Sequence, residues 1–146
     1  MDDWERLTAA ARSRLRPRRV SPFVEAGGVA AALLTADGEI YTGVCIDTAC
    51  SLGMCAERNA VANMLTCGGS RIVKLVCLTG NGIPELPCGA CRELLMQLDP
   101  AAAEIEILTA YPRVAAVRLG ELLPDWWGKG RFELETGCFG EEEQEG

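Results

Sequence analysis

The chain contains no histidine among its 146 residues. Serine-histidine-aspartate triads, cysteine-histidine nucleophiles, imidazole acid/base steps and histidine-bearing zinc sites are therefore closed to this chain acting alone. Its chemistry has to come from Cys, Asp, Glu, Lys, Arg, Tyr or a cofactor. No run of about 18 apolar residues occurs, so no bilayer-spanning helix and no membrane partner are expected. Positive charge is also in short supply, with 14 Lys and Arg against 21 Asp and Glu for a net charge of −7. That balance argues against a partner made of phosphate backbone, so no nucleic acid is expected either. Much of the excess lies in Glu141, Glu142, Glu143 and Glu145. A disordered acidic tail over 141–146, following a single domain over 1–140, is the expected organisation.

Cysteine is the residue in excess, at eight per chain. In a secreted chain of this length that count would read as a disulfide scaffold. The opening Met1-Asp2-Asp3-Trp4-Glu5-Arg6, however, is charged where the apolar stretch of a signal peptide would follow. The expected location is a reducing cytoplasm with most thiols free, where cysteine spacing points to metal binding or catalysis.

Residues 3–16 place Trp4, Leu7, Ala11 and Leu15 at helical spacing behind Asp2 and Asp3, and Pro17 marks the stop. Arg12, Arg14, Arg16, Arg18 and Arg19 alternate with Ser, Leu and Pro and read as a solvated face. Gly28–Thr35 and Glu39–Ile46 are strand-type runs joined by Ala36-Asp37-Gly38, a hairpin turn. A helix follows at Cys55–Thr66, then a strand buried on both faces at Ile72–Thr79, and a helix at Cys88–Leu98. Short strands at Glu104–Thr109 and Val114–Leu119 and a terminal helix near Glu121–Leu123 complete the order. The four residues between the last two strands are too few for a parallel crossover, so that pair must be antiparallel. The expected fold is α/β, a three-layer α-β-α sandwich around a five-stranded mixed sheet.

Two segments carry the chemistry, and each opens a helix after a loop. Cys88 and Cys91 are three residues apart and share one face of the first helical turn. With Cys55 they supply three corners of a zinc tetrahedron, and three protein ligands leave the fourth position open to water, as a catalytic metal requires. Three thiolates on a dication leave a net negative centre, and helix N-termini and Arg58 provide compensating positive potential. Glu57, two residues beyond Cys55, points off that residue's helical face and suits a carboxylate that shuttles protons without being a ligand.

Cys55-Ala56-Glu57-Arg58 and Pro87-Cys88-Gly89-Ala90-Cys91-Arg92 resemble the signature of the zinc-dependent cytidine deaminase superfamily, in its free-nucleoside branch with three Cys ligands. The resemblance runs from Val29 to about Leu123. It implies one Zn²⁺ per subunit, a small nucleoside or nucleobase substrate, and a homotetramer whose sites borrow residues across interfaces. It further implies that water attacks carbon 4 of a cytosine-type base, that Glu57 moves the protons, that the backbone N–H of Ala56 holds the base carbonyl, and that Arg58 hydrogen-bonds the thiolates. The family's sugar-binding Asn-x-Glu would fall on Cys45-Ile46-Asp47, a departure from the cytidine pattern. Thr42-Gly43-Val44, Gly80-Asn81 and Glu121-Leu122-Leu123-Pro124 followed by Trp126-Trp127 are similar to the blasticidin S deaminases, which implies Trp126 as a substrate contact or a cover for a neighbouring subunit.

On the residues alone, two other readings stay open. Cys88-Gly89-Ala90-Cys91 at a helix start also fits a thiol–disulfide oxidoreductase, although that leaves Cys55-Ala56-Glu57 unexplained. A structural zinc module would need a fourth thiolate from Cys45, Cys50, Cys67, Cys77 or Cys138, five residues whose default reading is as small buried hydrophobes.

Overall fold

Alternate residues of one strand feed two separate cores, and this sets the layering. Along β2 (Val24–Thr35), Ala31 and Leu33 join a cluster with Ala60, Val61, Met64, Leu95 and Ile107, while Ala32 and Leu34 join Leu7, Ala11, Val76 and Leu108. A strand with helices against both faces has no polar side to show, which is why the central runs are continuously apolar. The computed structural model describes residues 1–133. The acidic tail expected at 141–146, the end of the expected domain and Cys138 lie outside the described residues.

Helix α1 (Asp3–Arg14) covers one face. Its start is a capping box in which the Glu5 amide donates to the Asp2 carboxylate at 2.8 Å and the Asp2 amide donates to Glu5 at 3.1 Å, satisfying two donors that a helix end leaves free. Helices α2 (Ala56–Thr66), α3 (Gly89–Gln97) and α4 (Leu119–Leu122) cover the other face. The hairpin at Ala36-Asp37-Gly38 pairs β2 with β3 (Ile40–Thr48), and Gly38 takes the left-handed φ of +91° that the turn needs. On its other side β2 pairs antiparallel with β4 (Ile72–Leu78). Helix α3 then carries the chain across to β5 (Glu106–Ala110), parallel to β4, and β5 pairs antiparallel with β6 (Ala115–Arg118). The strands β2, β4, β5 and β6 thus lie side by side in that order, with β3 paired to β2.

The sheet has six strands rather than the expected five, because β1 (Arg18–Arg19) pairs with Ala26 and Glu25 at the start of β2. Pro17 ends α1, and the next two backbones meet a stretch of β2 that β4 does not reach. Both arginine side chains are exposed, so no alternation in the sequence marks this pairing.

Edge strand β3 is covered by α2 at contact distance. A Cβ on Gly43 would lie 2.3 Å from the Ala60 amide nitrogen and 2.6 Å from the Ala56 carbonyl oxygen. The side-chain amides of Asn59 and Asn63 donate to the carbonyls of Val44 and Thr42, each at 2.6 Å, so the outward carbonyls of the edge are satisfied by the helix. Gly43→Ala should therefore force α2 off the sheet and destabilise the fold by about 2–3 kcal/mol. Denaturant unfolding checks this, and an unchanged midpoint would show that the helix can yield there at no cost.

Candidate active site

The two helices that rest on this side of the sheet begin close together, and their first residues form the site. Cys55 is the N-cap of α2, and Cys88 is the N-cap of α3 with Cys91 in the first turn. The Cys55 and Cys88 sulfurs are 3.5 Å apart, as are those of Cys88 and Cys91, and all three sulfurs lie within 4.8 Å of one another. A cluster of three soft thiol donors at that spacing fits Zn²⁺ by ligand type and size. Cys50, the candidate fourth ligand nearest in sequence, is exposed and turns its sulfur to the Thr48 hydroxyl at 3.6 Å. Among the described residues no fourth thiol joins the cluster, which leaves the metal's remaining position for water or substrate.

Cys88 and Cys91 differ in their electrostatics. Burial pushes the Cys91 thiol well above its ordinary value, and the Glu57 carboxylate adds to the effect. Burial also acts to raise Cys88, but hydrogen bonds from the Cys91 and Ala90 amides and from the neighbouring thiols outweigh it and hold Cys88 below its ordinary value. A bound dication reverses the balance for the whole cluster, because a coordinating thiol is deprotonated outright. Arg58 lies alongside with one terminal nitrogen 4.0 Å from the Cys55 sulfur, and that contact raises the guanidinium's affinity for its proton. Its Nε is buried without a hydrogen-bond partner, while the residue as a whole is partly exposed in the cavity wall.

Glu57 is only 5% exposed and its Oε2 is 3.5 Å from the Cys91 sulfur. It opens onto a cavity of about 540 Å³ that is also lined by Cys45, Asp47, Cys55, Ala56, Arg58 and Cys88. Eight of the nine residues expected at the site are therefore brought together, with Cys91 directly behind the wall. At the far end Cys45 is already engaged, its sulfur accepting from the Val29 amide at 3.2 Å and standing 3.8 Å from Asp47. That amide is left free because the β2–β3 register shifts between Ala26 and Ala30.

Trp126 is the exception, lying apart from the thiol cluster and its cavity within this chain. Its indole donates to Glu93 on α3 at 2.7 Å, Trp127 donates to the other oxygen of the same carboxylate, and Trp126 packs on the main core beside a different cavity, with Met96, Leu123 and Phe132. The two indoles hold the Glu93 carboxyl below its usual range. Conversely, Cys77, read from its strand pattern as core, is both buried and part of the cavity wall. Its position at the end of a strand that leads into the Cys88 loop was the signal available, and the apolar pattern around it masked that signal.

A metal-assisted hydrolase is the class that this fold and this site define. Residues 11–106 match the family described as the cytidine and deoxycytidylate deaminase zinc-binding region. A cytidine deaminase of Mycobacterium tuberculosis is 38% identical over 101 residues, covering 68% of this chain and 72% of that protein. One from Sporosarcina psychrophila is 29% identical over 128 residues, 87% of this chain and 93% of that protein. The crystal structure of cytidine deaminase from Mycobacterium leprae superposes with a TM-score of 0.69 at 31% identity, covering 85% of this chain and 99% of that one. The chain belongs to the cytidine and deoxycytidylate deaminase zinc-binding family, and it is a hydrolase of C–N bonds with Zn²⁺ as its metal. The expected family, fold class and cofactor are borne out, and the oxidoreductase and structural-module readings fall away. No helix among the described residues is long and apolar enough to cross a membrane.

Proposed function

We propose that the chain hydrolytically deaminates a free cytosine-type nucleoside or nucleoside analogue, releasing ammonia. The observation that carries this reading is the placement of Glu57 beside three clustered thiols at the floor of one cavity. Cys55, Cys88 and Cys91 would hold the zinc. When bound, it would supply the Lewis acidity that activates water for attack. Glu57 would accept one proton of the attacking water and deliver it to ring nitrogen 3, then take the remaining proton from the hydroxyl added at carbon 4 and pass it to the departing amino group, so that ammonia leaves and the carbonyl forms. Ala56 is the first residue of α2, so its amide has no helical acceptor and is free to donate to the base carbonyl. Arg58 offsets the thiolate charge, and burial of the carboxylate keeps bulk water from competing for its proton.

Asp47 and Cys45 form the end of the cavity proposed for the sugar. Because Cys45 is occupied by the Val29 amide, Asp47 carries the polar recognition there. This supports a second substrate, a blasticidin S-like analogue, for which a stringent ribose contact is not needed. A homotetramer in the cytoplasm completes the reading, supported by exposed Phe23, Leu52 and Ile83, whose apolar surface suits contact with other copies.

The test is ammonia release by the zinc-loaded protein from cytidine, deoxycytidine, blasticidin S, cytosine, isocytosine and guanine. Turnover of a cytosine nucleoside or of blasticidin S, with little from the free bases, is expected. Activity confined to free bases, or none from any of the nucleosides at full zinc occupancy, would overturn it.

A further inference from the structure

We propose that Arg92 is a positioning residue for Cys88, its guanidinium holding the Pro87 carbonyl and so fixing the peptide unit from which the ligand sulfur projects. The inference rests on the reading of Cys88 as a zinc ligand. Arg92 stands near the start of α3, half-buried, and its Nε donates to the Pro87 carbonyl at 2.7 Å. Its Nη1 donates to the carbonyl of Leu122, the last residue of α4, at 3.4 Å. The next residue, Glu93, takes the indoles of Trp126 and Trp127. Two adjacent side chains of α3 thus hold the segment that follows β6, and Arg92 in addition holds the loop that delivers Cys88.

That loop is anchored to β4 by the Glu85 amide, which donates to the Cys77 carbonyl at 2.9 Å. Two residues further on, the ring of Pro87 locks φ and leaves ψ as the torsion still free before Cys88. Rotation about that ψ swings the Pro87 carbonyl and, across the same planar peptide, the Cys88 nitrogen. A bond to the carbonyl therefore restrains the torsion that sets where the Cys88 sulfur lies. The donor is a guanidinium, and charge-assisted hydrogen bonds are among the stronger ones. Packing cannot do this work for Cys88, which is exposed, as it does for the fully buried Cys91. Groups that orient a metal ligand from outside the coordination sphere set the affinity of the site.

Zinc affinity of the full chain, read by competition with a chromophoric chelator, is to be compared in wild type, Arg92→Met and Arg92→Gln. Met keeps an apolar stem of similar length and has no donor. Gln places its amide nitrogen as many bonds from the backbone as the arginine Nε, without the charge and without the arm to Leu122. Arg92→Met should bind zinc about tenfold more weakly, and Arg92→Gln should return to within about threefold of wild type. The thiolate-to-metal absorption bands of the Co²⁺-loaded protein should shift in Arg92→Met and match wild type in Arg92→Gln. Glu93→Ala releases the indoles but leaves the Pro87 contact, and should keep wild-type zinc affinity. The proposal is overturned by wild-type affinity in Arg92→Met, or by equal losses in the Met and Gln variants, which would make charge the cause. A loss in Glu93→Ala as large as in Arg92→Met would also overturn it, because docking of the terminal segment would then be the cause. If Arg92→Met does not fold, Arg92→Gln decides alone, and a loss of about tenfold there overturns the proposal. Wild-type zinc affinity in Cys88→Ala would remove the ligand assignment and the proposal with it, whereas a metal-free Cys88→Ala beside wild-type affinity in Arg92→Met would remove the proposal alone.

Discussion

Glu57→Ala is expected to retain its zinc and lose turnover by about a thousandfold, the middle of the range that general acid–base groups contribute. The reasoning starts from position. Glu57 follows Cys55 by two residues on α2, so the helix turns its carboxylate away from the Cys55 sulfur, and three thiols complete the metal's protein ligands without it. Nothing else in the cavity wall duplicates its chemistry: Asp47 and Glu85 also line the cavity but belong to β3 and to the loop after β4, and no histidine exists in the chain. Glu57→Gln separates shape from proton transfer, since it fills the same space and cannot accept a proton. It should be as inactive as the alanine variant. Stability should hold or rise in both, because each removes a desolvated negative charge from beside three thiolates. Metal analysis, single-turnover assays and thermal unfolding check these outcomes together. Turnover within tenfold of wild type in either variant would remove Glu57 from the proton path, and loss of zinc would make it a ligand.

Much of this site was legible because its chemistry is local in sequence. Cys88 and Cys91 share a helical turn, Cys55 and Glu57 share another, and each pair opens a helix after a loop, so spacing alone indicated which atoms face together. The layering was legible too, since β4 reads as an uninterrupted apolar run and the four-residue link between β5 and β6 admits only an antiparallel turn. What escaped depended on contacts between distant segments. The two-residue strand at Arg18–Arg19 exists through backbone pairing with Ala26 and Glu25 and leaves its side chains in solvent. Trp126 is directed by Glu93, 33 residues earlier, and nothing in the Trp126-Trp127 pair itself says which carboxylate will take the indoles. Cys77 was hidden for the opposite reason, as a residue whose small, apolar character satisfies the core pattern as fully as an alanine would.

Cys88→Ala should abolish both zinc binding and turnover, and it should also remove the stabilisation that chelation of the wild type removes. Cys55 and Cys88 are the N-caps of α2 and α3, so an ion held by both ties together two helix starts that are 33 residues apart in the chain. A ligand bound only to the folded state stabilises it by about 4 kcal/mol at a thousandfold excess over its dissociation constant. The wild type should therefore unfold at a markedly lower temperature after treatment with a chelator, while Cys88→Ala should start at that lower temperature and not respond. The same design separates an open three-thiol site from a closed one. Cys50→Ala should keep its zinc, its chelator-sensitive unfolding and its turnover, because the Cys50 sulfur is directed to Thr48 outside the cluster. If Cys50→Ala lost zinc along with Cys88→Ala, the metal would have four protein thiolates, no position for water would remain, and the hydrolytic mechanism drawn from this site would fail with it.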